Sequence, residues 1–133
     1  MTKAAETTAG RGKSGFGPVR ILVADADCAL YGLLEEWFAE SGWELSGACA
    51  PGQSDERCDL IVVDLPFPRD GGQDVLRPLM REYPGTPIIA LSGMFLPGAG
   101  GALARELGVT SVLPKPVTRE ALLAAVHKAL ASR

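Results

Sequence analysis

No run of about 18 apolar residues occurs in the chain, so no stretch of it reads as a membrane-spanning helix. The N-terminus has no apolar segment of the kind that precedes a signal cleavage site, so no secretory leader is expected. Cysteine is scarce: Cys28, Cys49 and Cys58 form no CxxC pair and no metal spacing. An odd, scattered count fits reduced thiols that serve as packing residues in a cytosol. Charge of one sign is also scarce. A net charge of −3 gives no general pull toward nucleic acid or an anionic membrane. There is no internal repeat and no sign of a second domain.

What is present centres on Asp59-Leu-Ile-Val-Val-Asp64. A short apolar run rich in β-branched residues fits a strand buried on both faces, as in a parallel sheet. Pro66 and Pro68 stop the ladder beyond Asp64. The pattern recurs. Ile21-Leu-Val-Ala24 leads to Asp25, Ile88-Ile-Ala-Leu91 to Ser92, and Ser111-Val-Leu-Pro114 to Lys115. In open parallel α/β sheets, ligands bind beyond the carboxyl ends of the strands. Two acids, a hydroxyl and an amine gathered there suit a cation and a phosphoryl group.

Between these runs the spacing is helical. Leu30, Leu33, Leu34, Trp37 and Phe38 predict an apolar face, with Asp27 as cap and Gly42 as stop. Residues 43–48 read as the second strand. Residues 49–58 are too short and polar for more than a turn or two of helix. A helix after Gly71-Gly72 carries Val75, Leu76, Leu79 and Tyr83, and Pro78 predicts a kink or a late start. Glycines in 93–101 shorten the next helix. The last begins near Thr118 and buries Leu122, Val126 and Leu130. His127 reads as a helix-surface residue. Residues 1–17 read as a disordered tail and 18–133 as the folded domain. Gly12-Lys13-Ser14 has the form of the end of a phosphate-binding loop, but Thr7 replaces the required glycine and no strand precedes it. The alternation predicts an α/β fold: a single doubly wound domain with five parallel strands and helices on both faces.

Over residues 20–132 the sequence resembles the receiver domains of two-component response regulators. The pieces are Ile21-Leu-Val-Ala-Asp25, Asp59-Leu-Ile-Val-Val-Asp64, Pro68-Arg-Asp-Gly71, Pro87-Ile-Ile-Ala-Leu-Ser92-Gly93 and Lys115-Pro116. The resemblance implies the strand order 2-1-3-4-5. It makes Asp64 the phosphoacceptor, taking a phosphoryl group from a histidine kinase or a histidine phosphotransfer protein. Ser92 and Lys115 then contact that group, and Gly93 leaves room for it. It implies Mg²⁺, bound only weakly once the departure at Ala26 is counted, held by Asp25, Asp64 and the Pro66 backbone carbonyl, and a cis Lys115–Pro116 bond. It further implies a cytoplasmic switch, with output to a protein partner through the fourth helix, fifth strand and fifth helix. That face is also a candidate homodimer surface. Neither direct nucleic-acid binding nor membrane attachment is implied.

The sequence departs from the family in three places. Ala26 stands where a second metal-ligating acid is usual, and a methyl group cannot coordinate Mg²⁺. Asp27 is the candidate replacement ligand, against its alternative as a helix cap. Val112 stands where an aromatic residue usually reports phosphorylation. The second helix is truncated and the fourth begins in glycines. These departures leave two readings: a phosphoaccepting receiver, or a pseudo-receiver acting as a protein-interaction module. If the chain ends at 133, output is expected through binding another protein, and Met1 with its polar leader reads as a natural start.

Overall fold

The first strand, β1 (Arg20–Ala24), places alternate residues on opposite sides of the sheet: Ile21 and Val23 on one, Leu22 on the other. The structure is a computed structural model that describes residues 19–47, 58–65, 71–93 and 98–131. It comprises β1, α1 (Cys28–Ala39), β2 (Glu44–Gly47), β3 (Leu60–Asp64), α2 (Gly72–Glu82), β4 (Ile88–Ser92), α3 (Gly100–Leu107), β5 (Ser111–Pro114) and α4 (Arg119–Ala131). All strand pairs are parallel, in the order β2-β1-β3-β4-β5. The expected α/β sheet and its order are therefore present. The short helix expected within 49–58 falls almost entirely outside the described residues. The helices expected as third, fourth and fifth are α2, α3 and α4.

Both faces of the sheet are covered, which is why β3 and β4 read as unbroken apolar runs. Ile21, Val23, Leu60, Val62, Ile89 and Leu91 pack under α1 and α4 through Leu34, Phe38, Leu122 and Val126. Leu22, Ile61, Val63, Ile88 and Ala90 pack under α2 and α3 through Leu76, Leu103 and Leu107. Each large apolar side chain so buried stabilises the fold by roughly 1.5–3 kcal/mol before entropy is counted.

Local chemistry sets the helix ends. Asp27 has extended backbone, and its Oδ1 accepts the Leu30 N–H at 2.8 Å. Thr118 Oγ1 accepts the Ala121 N–H at 3.1 Å at the start of α4. Gly108, at φ 80°, closes α3 in the left-handed region that glycine adopts at little cost.

Some expectations need correction. Leu33 is not on the buried stripe of α1: it is 41% exposed, and Tyr31 takes the core position instead. The core stripe meets the sheet at 31, 34 and 38, so residue 33 falls a third of a turn away. α2 begins at Gly72, well ahead of Pro78, so no late start occurs; Pro78 sits on the exposed side. In α4, Ala129 is buried more completely than Leu130. Cys58 is a half-buried thiol outside any disulfide, but Cys28 is disulfide-bonded. The expectation of three reduced thiols thus fails at Cys28. The Lys115–Pro116 bond is cis. No helix among the described residues is long and apolar enough to cross a membrane.

Candidate functional site

Strand register brings the polar strand ends to one rim. Ala24 pairs with Val63, so Asp25 and Asp64 follow each other on neighbouring strands. Asp64 pairs with Leu91, and Ser92 pairs with Pro114, which puts Ser92 and Lys115 on the same carboxyl edge. The Lys115 N–H donates to the Ser92 carbonyl at 3.0 Å.

The central contact is an ion pair. Lys115 Nζ lies 2.7 Å from Asp64 Oδ1, with side chains 36% and 19% exposed. β5 is two strands from β3, a separation of about 10 Å, so the lysine stem crosses the end of β4 to reach the acid. It passes by Gly93. Among the described residues, an added Cβ there would meet only Lys115 Cβ and O, each at 3.9 Å.

The four residues do not share one orientation. By alternation Asp64 continues the face of Leu60 and Val62, and Lys115 the face of Leu113, both toward α1 and α4. Ser92 continues the face of Ile88 and Ala90, toward α2 and α3, and is fully buried. Asp25 is exposed and its φ is +56°, the one positive φ at a non-glycine residue among those described. Asp27 is exposed and engaged as the α1 cap. Ala26 lies half-buried between the two acids. Pro66 lies outside the described residues, as does most of Pro68-Arg-Asp-Gly71.

One buried acid passes unnoticed in the sequence. Asp59 directly precedes β3 at the opposite edge, 7% exposed, and its Oδ2 accepts the Arg20 N–H at 2.9 Å. Its signal is an acid directly preceding an apolar run, a mark of an anchored strand start.

The Mg²⁺ that the resemblance implies was tested against these donors. Among the described residues no group of three or more His, Cys, Asp or Glu side chains is placed to hold a metal ion. Asp27 Oδ1 is taken by a helix N–H and Asp64 Oδ1 by an ammonium group. The donor set among the described residues falls short of a full metal centre.

A doubly wound α/β sheet with a carboxylate–lysine pair at the rim where its strand order reverses is the class that fold and site define. The chain belongs to the response regulator receiver domain family, whose model matches residues 21–127. It is 31% identical over 118 residues to the regulatory protein VirG of Agrobacterium fabrum, covering 85% of this chain and 46% of that protein. It is 32% identical over 119 residues to the transcriptional regulatory protein CpxR of Klebsiella pneumoniae, covering 84% and 49%. The chain thus spans about half the length of these relatives. Among solved structures, a CheY-like receiver domain protein from Methanospirillum hungatei superposes with a TM-score of 0.69 at 22% identity, covering 87% of this chain and 96% of that one. The chemotaxis protein CheY4 of Vibrio cholerae gives 0.67 at 21%, covering 86% and 100%. At these identities the structural likeness is one of fold.

Proposed function

We propose that this receiver domain accepts a phosphoryl group on Asp64 and signals its occupancy to a protein partner. The observation that carries this reading is the 2.7 Å contact between Lys115 Nζ and Asp64 Oδ1 at the carboxyl rim of the sheet. An Asp64 carboxylate oxygen attacks the phosphorus of a phosphohistidine on a kinase or phosphotransfer protein. The P–N bond breaks, and the imidazole nitrogen keeps the electron pair. The product is an acyl phosphate, which water later hydrolyses to phosphate and free carboxylate. The work of the site is positioning and charge neutralisation, since the transferred group spreads negative charge over its oxygens. Lys115 supplies the positive charge that neutralises it. The Ser92 hydroxyl turns from its buried position to meet a phosphoryl oxygen, and this repacking biases the switch.

Residues 18–133 form the receiver unit in this reading, in a cytoplasmic setting. The partner face comprises α3, β5 and α4, which also offers a dimer surface. With Val112 in place of an aromatic reporter, the change passes through the segment after Ser92 or through backbone shifts.

A second reading has its own support. Ala26 and the shortage of clustered acids among the described residues favour a pseudo-receiver that binds a protein partner without phosphorylation. Incubation with acetyl phosphate or a phosphorylated histidine phosphotransfer protein, followed by intact-mass measurement, separates the two. One phosphoryl mass increment, lost in Asp64→Asn, supports the first. An unchanged mass with every donor supports the second.

A further inference from the structure

We propose that this chain departs from its family in how the acidic pocket is neutralised: Lys115, rather than a resident divalent cation, supplies its standing positive charge, and Ala26 is the residue that sets this. The inference deepens the phosphoacceptor reading and rests on it for the identity of the pocket.

The donor inventory carries it. A hard cation such as Mg²⁺ takes oxygen ligands in near-octahedral geometry, and affinity rises with the number of charged ligands. The described pocket offers Asp25 and the Asp64 oxygen that Lys115 leaves unpaired. The residue between the two acids of the 25–27 segment has only a methyl group. Asp27 is adjacent in sequence, but its Oδ1 holds the Leu30 N–H at 2.8 Å, the one side-chain cap of α1. Turning that carboxylate into the pocket leaves the helix uncapped. Lys115, by contrast, is already seated on Asp64 at charge-assisted hydrogen-bond distance. A cation entering the pocket must compete with that ammonium for the same carboxylate.

Calorimetric titration of the whole chain with MgCl₂ tests this. Ala26→Asp is expected to bind Mg²⁺ at least about tenfold more tightly than the natural chain. Asp27→Ser keeps a capping oxygen but removes the carboxylate, and is expected to change the affinity by less than about twofold. Two outcomes overturn the proposal: Ala26→Asp that is folded by circular dichroism yet binds no tighter, or Asp27→Ser that weakens binding about tenfold. Should Ala26→Asp fail to fold, the Asp27→Ser arm decides alone. The titration needs no phosphodonor. A pocket that never takes phosphate would therefore sink the phosphoacceptor reading through its unchanged mass, with the metal result read separately.

Discussion

Lys115 and Asp64 stand 51 residues apart in the chain and 2.7 Å apart at the rim, with β4 running between their strands. The pair is more than one-third exposed on the lysine side, where ion pairs contribute about 0.2–1 kcal/mol. Lys115→Met should therefore leave the urea midpoint nearly unchanged, a loss of no more than about 1 kcal/mol. Phosphorylation by acetyl phosphate, followed by intact mass, should slow by roughly a hundredfold, the scale of removing one preorganised charge contact. Equal loss of stability and of phosphorylation would make the contact structural only.

Asp25 holds φ at +56° where β1 hands over to α1. Left-handed backbone costs an ordinary L-residue about 1–2 kcal/mol, while Asn and Asp tolerate it best and β-branched residues worst. Asp25→Asn should keep the stability of the natural chain, and Asp25→Val should lose about 1–2 kcal/mol relative to it. Denaturant midpoints of the two variants check the difference. Equal midpoints would mean the turn is not held in that conformation.

The sheet was legible because β3 and β4 are buried on both faces, and only parallel strands need such unbroken apolar runs. Asp64 and Lys115 stood out because each directly follows a strand core. What stayed hidden depends on orientation. The burial of Ser92 follows from which face Ile88 and Ala90 present, a fact set by the helices packed there. Leu33 looked like core because a stripe read from the leucines, Trp37 and Phe38 is wider than the groove it fills; Tyr31, a residue with a polar end, took the place. The turn at Asp25 carries no sequence mark, since glycine is the usual signal for positive φ.

The Tyr31 hydroxyl is buried with no hydrogen-bond partner among the described residues, and burial, then the neighbouring Glu35 carboxylate, push its pKa above the ordinary 10.0. Tyr31→Phe removes an unsatisfied buried group and should raise stability by about 1 kcal/mol. The hydroxyl's folded pKa lies above its unfolded value, so folding favours the neutral form. That contribution is complete below the unfolded value and is lost as pH rises through the folded one. The advantage of Tyr31→Phe should thus grow between about pH 8 and about pH 11. Urea denaturation of both proteins at the two pH values checks it; a constant difference would contradict the burial of the hydroxyl.

Gly47 ends β2 opposite Val23, and a Cβ placed on it would lie 2.5 Å from the Val23 carbonyl oxygen and 3.3 Å from Tyr31 Cε2. The first distance is to backbone in a paired strand, which cannot swing aside; the second is to a side chain. Gly47→Ala should cost about 2–3 kcal/mol, the upper part of the range for overpacking. Tyr31→Leu removes the ring contact and leaves the carbonyl where it is. If the strand carbonyl sets the cost, Gly47→Ala should remain destabilising by most of that amount in the Tyr31→Leu background, with a small coupling energy in the double-mutant cycle. A cost that vanishes there would place the constraint on the tyrosine ring, and would show that β2 can shift against β1 at its carboxyl end.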